Sequence, residues 1–392
     1  MTINYRQLYP QIRRLADQVA NSALERSERR QRALEVLERV GSELEFLRDK
    51  VEQAVRQEGW SLRYAKPLDA SLNTRYSSSE SGAVVNLAAA DGSQLLPDRH
   101  AELYFGLIHV GGVTLPQFSS LLPREHSRSE FWYAEAEDFS ESLFNFRRDV
   151  LERKMLSEIS LTLDPPVLAL ADGPLELWPD YRFSEEGKRE WRRLLEEYLD
   201  VLRTFHERRI LLGGYVDRPE SAYVVRLLEF AIATPQDQDE LRHFRPFKGI
   251  LDADLFLSFL RPGERSAIFG LQSPLAEYLP PGCEVCFFYL QVGSEFAPSL
   301  ARVEIPRWLA AEPHLVDQLH AVVLSQCRQS GAYPYPYLLH RAHEVAVIHP
   351  EDREAIVRAL SVELQRRGHR LGRPSPKQAL KNLSLRAKER PR

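Results

Sequence analysis

Val84-Val85-Asn86-Leu87-Ala88-Ala89-Ala90-Asp91-Gly92-Ser93 is an apolar run that stops at a carboxylate and then meets glycine. A run this short, built of small and β-branched residues, reads as a buried strand. Gly92 permits a turn that a strand residue does not, so the strand is expected to end at Asp91. Asp91 then stands at the mouth of a sheet, where burying a carboxylate without a partner is expensive. The pattern returns in Pro166-Val167-Leu168-Ala169-Leu170-Ala171-Asp172-Gly173-Pro174. Two strands that each end in Asp-Gly suggest two carboxylates meeting at one place.

Between the two runs the chain reads as strand 101–110, closed by Gly111-Gly112, and strand 113–115, making an antiparallel meander with the first run. Residues 118–130 read as a charged loop with Arg124, His126 and Arg128. A helix follows from about Ser140 to Leu161, with Ser140 as N-cap and an apolar stripe of Leu143, Phe146, Val150, Leu151 and Met155. After the second Asp strand come a helix over 185–209, a strand over 210–216 and a helix over 221–233. A hairpin (283–292 and 301–305) follows, then helices 314–330 and 351–367 around a Tyr/Pro-rich loop. This order is mixed α/β. Its first half matches the ribonuclease-H-like arrangement of meander, helix and a strand beside the first, in a mixed sheet with flanking helices.

Residues 3–58 are helix-like. Leu37, Val40, Leu44, Leu47, Val51 and Ala54 form an a/d seam, suited either to a coiled-coil-like arm that dimerises or docks a partner, or to a cap on the chain's own core. A Ser-rich stretch over 73–82 reads as a linker. The expected organisation is an N-terminal helical region (1–70), a main domain with the ribonuclease-H-like core (71–350), a C-terminal helix (351–369) and a basic, disordered tail (370–392). The tail is either solubilising or an arm for phosphates or an acidic partner.

The 392 residues carry a formal net charge of −4, so no global field draws the chain to nucleic acid. No apolar run approaches the ~20 residues that span a bilayer. The N-terminus lacks the apolar segment of a signal peptide, so a soluble, cytoplasmic protein away from membranes is expected. Three cysteines make no disulfide framework. Cys283-x-x-Cys286 lies in a strand-like run and lacks the second pair a structural zinc wants.

Two carboxylates at neighbouring strand ends repel each other unless a cation sits between them. Mg²⁺ and Mn²⁺ prefer oxygen ligands. The intervening helix offers Glu141, Asp149, Glu152 and Glu158 as a third acid, and Glu152 is best placed to look toward the sheet. The competing readings are a surface Arg148–Glu152 pair and Asp91 and Asp172 as turn formers. Later, Tyr333-Pro334-Tyr335-Pro336-Tyr337 makes a rigid aromatic platform suited to stacking, and His343 follows as a loop-to-strand or loop-to-helix residue. A neutral His343 can bind metal or move a proton, although packing by the tyrosines and capping by the histidine would leave the same pattern.

Leu87-Ala88-Ala89-Ala90-Asp91-Gly92-Ser93-Gln94, Arg148-x-x-x-Glu152, Leu168-Ala169-Leu170-Ala171-Asp172-Gly173 and Tyr335-Pro336 with Arg341-Ala342-His343 together resemble the motifs of NurA-type DNA-repair nucleases, over about residues 84–350. Gly214-Tyr215-Val216-x-Arg218-Pro219 is also similar to a family segment. The resemblance implies a ribonuclease-H-like core, a homodimer, Mn²⁺-dependent nuclease activity on DNA, with Mg²⁺ as the other candidate ion, and partnership with a hexameric HerA-type translocase in end resection. Matched by position, Asp91, Glu152 and Asp172 would be the metal-binding acids. Tyr335 and His343 would complete the site, His343 also as a metal ligand. The chain departs from the family pattern at Gly173-Pro174, where Gly-Ser is common. The rival expectation is a non-catalytic DNA-binding adaptor on the same core.

Overall fold

The computed structural model describes residues 5–58, 62–78, 85–97, 104–117, 122–133, 139–177, 184–234, 237, 241–331 and 333–368. Val84, residues 79–82 of the Ser-rich stretch and the basic tail from residue 370 lie outside these residues; within the described part of that stretch, Arg75–Ser77 form a strand rather than linker. In chain order, helices α1 (Tyr5–Val40) and α2 (Leu44–Glu58) precede strands β1 (Tyr64–Pro67) and β2 (Arg75–Ser77). Strands β3 (Asn86–Leu95), β4 (Gly106–Leu115) and β5 (Arg124–Trp132), helix α3 (Glu141–Ser160) and strand β6 (Val167–Asp172) follow. Then come α4 (Glu185–Glu207), β7 (Leu211–Asp217), α5 (Tyr223–Ile232), α6 (Asp252–Phe256), β8 (Glu264–Ser266) and β9 (Phe269–Gln272). The chain continues through β10 (Val285–Gln291), β11 (Leu300–Pro306), α7 (Arg307–Ala310), α8 (Pro313–Gln329), α9 (Tyr337–Ala346) and α10 (Pro350–Arg366). The fold is mixed α/β, and the element order of a meander, a helix and a strand is that of a ribonuclease-H-like core. No described helix is long and apolar enough to cross a membrane.

The chain divides into two compact units, each discontinuous in sequence. The first comprises Met1–Val85, Leu168–Glu176 and Leu202–Tyr337; the second comprises Asn86–Val167, Leu177–Val201 and Leu338–Arg392. In the first, the strand order is β1-β9-β10-β11-β7-β6, with β8 pairing both β10 and β2. Strands β6 and β7 run parallel, Asp172 standing opposite Tyr215. The neighbouring β11 is antiparallel to β7. Every residue of β10 and β11 is buried: β10 reads as a near-continuous apolar run, whereas β11 buries Arg302 and Glu304 as an ion pair 2.8 Å apart. Here the N-terminal seam resolves: Leu37, Val40, Leu47, Val51 and Ala54 are buried in this unit's own core, where α1 and α2 pack on α5. The first half of α1 differs. Its Tyr5, Tyr9, Ile12, Leu15 and Val19 are all exposed.

The second unit holds the antiparallel meander β3-β4-β5, with α3 packed on β3 and β4. Ser140 caps α3, its Oγ accepting the Leu143 N–H at 3.3 Å. Three sequence expectations change here. Asp91 does not end its strand: β3 runs on to Leu95, with Gly92 in mid-strand. Gly111 and Gly112 form no turn but lie inside the ten-residue β4. The third strand of the meander is β5, which spans much of the expected charged loop. As the meander's outer strand, β5 carries charge on both faces, and that pattern hides an edge strand from a reading of alternation.

Both glycine corrections have one cause, close approach. A Cβ on Gly112 would lie 2.9 Å from Ile159 Cδ1 on α3, and one on Gly111 only 2.5 Å from the Ala346 backbone nitrogen on α9. Bare backbone on both sides of β4 therefore lets a helix settle on each face.

Candidate active site

In the second unit Asp91 is buried and both of its carboxylate oxygens are engaged. Oδ1 accepts the Gly92 N–H at 2.8 Å. Oδ2 lies 2.7 Å from Nδ1 of His343. In the neutral imidazole this contact puts the hydrogen on Nδ1 and leaves Nε2 as the basic nitrogen. The His343 side chain is 60% exposed, so that nitrogen is within reach of a ligand. His343 sits on α9, a helix that the sequence reading merged into the Tyr/Pro-rich loop. Leu338, Leu339, Ala342 and Ala346 are its buried face, and their 1-2-5-9 spacing was the available signal. Two further bonds fix α9 over the strands: Ser93 Oγ donates to the Ala346 carbonyl, and His109 Nε2 lies 3.1 Å from the Val345 carbonyl.

Glu152 approaches from α3. It lies directly over Gly92, where a Cβ would be 2.5 Å from its Oε1 and 2.8 Å from its Cγ. Glycine after Asp91 thus serves to admit a carboxylate rather than to turn the chain. The Arg148–Glu152 pair expected from sequence exists at 3.1 Å, but its glutamate is buried rather than on the surface. Arg153, which sequence reading missed, is buried as well and lies 3.2 Å from Glu152 Oε2. Its position in the charged run Glu152-Arg153-Lys154 gave no cue. Arg148 also reaches Asp149 Oδ1 at 2.7 Å.

This group of carboxylates is under electrostatic tension. Burial pushes the Glu152 carboxyl up to about 8. The Arg153 and Arg148 guanidiniums pull it back, while the charges of Asp149 and Asp91 push it further up. A divalent cation here would favour the ionised form. Asp91, Glu152 and His343 offer carboxylate oxygen and imidazole nitrogen, donors that suit Mn²⁺ and, through the oxygens, Mg²⁺. Among the described residues, no three or more His, Cys, Asp or Glu side chains form a ready-made metal cluster. The donors fit such an ion in kind, as an open rather than a closed set.

Asp172 and Tyr335 belong to the first unit. Asp172 closes β6, and here the Asp-Gly reading holds: Gly173 takes φ +77° and turns the chain. The Gly173 N–H donates to the Tyr215 carbonyl at 2.9 Å, which ties the turn to β7. Tyr335 sets its ring edge-on against Tyr215, with centroids 5.4 Å apart. The Tyr215 hydroxyl donates to the Pro334 carbonyl at 3.3 Å, and burial holds its phenol well above the usual range. One buried tyrosine therefore braces both Asp172 and Tyr335. Of the competing tyrosines, Tyr333 is exposed and Tyr337 opens α9. The three cysteines are buried free thiols. Burial pushes Cys283 and Cys286 up to about 11, which disfavours the thiolate that a metal would need.

No curated protein matches the chain. Among solved structures it is similar to the NurA nuclease from Sulfolobus solfataricus, at 13% identity over 92% of this chain and 98% of that one, with a TM-score of 0.52. A structure of NurA bound to dAMP and manganese aligns at 12% identity over 91% of this chain and 98% of that one, with a TM-score of 0.37. The catalytic domain of human Endonuclease V aligns at 13% identity over 79% of this chain and 96% of that one, with a TM-score of 0.33. The profile of the NurA domain matches residues 85–348, well over half of the chain and every residue of the candidate site. The chain belongs to the NurA family.

Proposed function

We propose that this protein is a metal-dependent deoxyribonuclease that hydrolyses phosphodiester bonds during DNA end resection. Family membership supports a nuclease. The observation that carries the reading to this chain's own residues is the 2.7 Å contact between Asp91 and His343, beside a buried Glu152. Mn²⁺, or Mg²⁺ in its place, would be held by Asp91, Glu152, Asp172 and His343, and when bound it supplies an activated water and charge neutralisation at the scissile phosphate.

The side chains divide the remaining work. Asp91 orients the His343 ring, and Nε2 is the atom by which His343 either takes the cation or hands a proton to the leaving 3′ oxygen. Glu152, held beside two guanidiniums, would contribute a carboxylate whose charged form a bound cation would favour. Tyr335 holds the strand by stacking or by a hydrogen bond to phosphate. The partner in this reading is a hexameric HerA-type translocase, and the working form is a homodimer. The adaptor alternative leaves the buried, costly Glu152 without a purpose.

Cleavage of end-labelled DNA in Mn²⁺, Mg²⁺ or chelator tests the reading. Asp91→Asn and Asp172→Asn are each expected to lower the rate by at least about 10³-fold with the fold retained. Wild-type rates from both variants in Mn²⁺ would refute it.

A further inference from the structure

Among the described residues two that are not glycine have positive φ, Arg209 at +54° and Arg218 at +43°. The first has a structural explanation. Arg209 ends α4, its N–H donating to the His206 carbonyl at 3.1 Å, in the left-handed position that closes many helices. Its side chain lies over the Trp308 ring and pairs with Glu312.

Arg218 ends no helix. It follows the last residue of β7, Asp217, which is fixed by pairing with Ala301 of β11. It precedes Pro219, which is buried. A residue before proline is pushed away from helical conformations toward extended ones, and a side chain in the left-handed region adds a second cost. Beyond the proline the chain is fixed again: Ser221 Oγ accepts from Arg302 at 2.7 Å, and the Ser221 carbonyl accepts the Asp252 N–H at 2.9 Å. Glycine or asparagine would occupy this corner more cheaply. An arginine stands there instead, with its side chain 79% exposed and its ion pair a loose 3.7 Å contact to the adjacent Asp217.

Its place in the fold suggests a use for the guanidinium. Strands β6 and β7 are parallel, with Asp172 opposite Tyr215. Arg218 lies three residues past Tyr215, about 10 Å further along the same strand direction. It therefore stands at the carboxyl edge of the same parallel pair that Asp172 ends, the edge where open α/β sheets take ligands. Arginine's planar fork suits a phosphodiester, which presents two oxygens.

We propose that Arg218 is a substrate clamp, its guanidinium binding a backbone phosphate of the DNA strand beside Asp172. The proposal rests on the nuclease reading for the identity of the ligand, but its test does not require cleavage. Binding of a fluorescein-labelled single-stranded DNA to the full chain is followed by anisotropy in chelator across a salt series, alongside thermal melting. Arg218→Gly is expected to raise Kd about tenfold at low salt and to flatten the log Kd against log salt slope by about 0.7, the loss of one phosphate contact. Its melting temperature should not fall, since glycine relieves the corner. Arg218→Lys is expected to recover most of the slope. An Arg218→Gly variant with the wild-type Kd and slope overturns the proposal. So does one whose weaker binding comes with a lower melting temperature and an unchanged slope. A wild-type chain that binds no DNA overturns this proposal and the nuclease reading together, whereas DNA binding without metal-dependent cleavage overturns only the latter.

Discussion

Gly92→Ala tests the site without touching an acid. The added methyl carbon would lie 2.5 Å from Glu152 Oε1, 2.8 Å from Cγ and 3.0 Å from Cδ. These separations are far inside van der Waals contact. Glu152 cannot swing aside cheaply, because its two oxygens are held by Arg148 at 3.1 Å and Arg153 at 3.2 Å. Relief requires a shift of α3 or of the glutamate by about 1 Å. Overpacking of this kind costs about 1–3 kcal/mol of stability. A displacement of that size at a reacting centre costs about 100-fold in rate. Urea unfolding and single-turnover cleavage in Mn²⁺ read the two effects separately. Gly270→Ala is the control: its Cβ would meet Lys66 Cβ at 3.4 Å and Leu68 Cδ2 at 3.5 Å, ordinary contacts, so both readouts should stay near wild type. A Gly92→Ala variant that cleaves within twofold of wild type would refute the claim that glycine is there to admit Glu152.

Gly111→Ala should be harsher, because the clash is with backbone, 2.5 Å from the Ala346 nitrogen and 2.9 Å from the Ala342 carbonyl. It should lift α9, draw His343 off Asp91 and abolish most cleavage at a stability cost of about 2–3 kcal/mol; retention of full activity would show that α9 need not sit so close. His320 gives a pH test away from the site. It is buried with Nε2 donating to the Gly263 carbonyl at 2.9 Å, and burial, aided by the Arg265 charge, pushes its pKa down to about 4. Between its unfolded value near 6.5 and 4, the unfolded chain binds a proton that the folded chain does not. Stability is therefore full above about 6.5 and falls as pH drops through that window, by up to about 3 kcal/mol. Urea midpoints at pH 7 and pH 5 should diverge for the wild type and converge for His320→Asn; equal divergence would assign the acid sensitivity elsewhere.

Much of this arrangement was legible in the residues, though not always for the right reason. The run ending at Asp91 is a buried strand, as its small apolar residues imply, and Asp172 does close its strand on a left-handed glycine. The same dipeptide at Asp91-Gly92 means something else, because glycine marks close approach as readily as a turn and a local window cannot tell which. Gly111-Gly112 misled for that reason. Strand β5 was hidden by its charges and α9 by its ten-residue length. Arg153 could not have been found, since a guanidinium in the charged run Glu152-Arg153-Lys154 looks like any surface helix position until the fold is known. Of the four acids the helix offers, Glu152 is the one the fold buries, over Gly92, and its pairing with Arg148 is a buried contact.

The Asp91–His343 contact joins residues 252 positions apart. Closing a loop of that length costs about 5 kcal/mol of chain entropy before any contact repays it. The two groups are also separated in time. At ~5–20 residues per second, His343 is synthesised about 10–50 s after Asp91. Throughout that interval β3 and its carboxylate exist on the ribosome without their imidazole. A nascent chain thus carries the acid but not the dyad, and the pair closes only when α9 has emerged to settle on the bare backbone of Gly111.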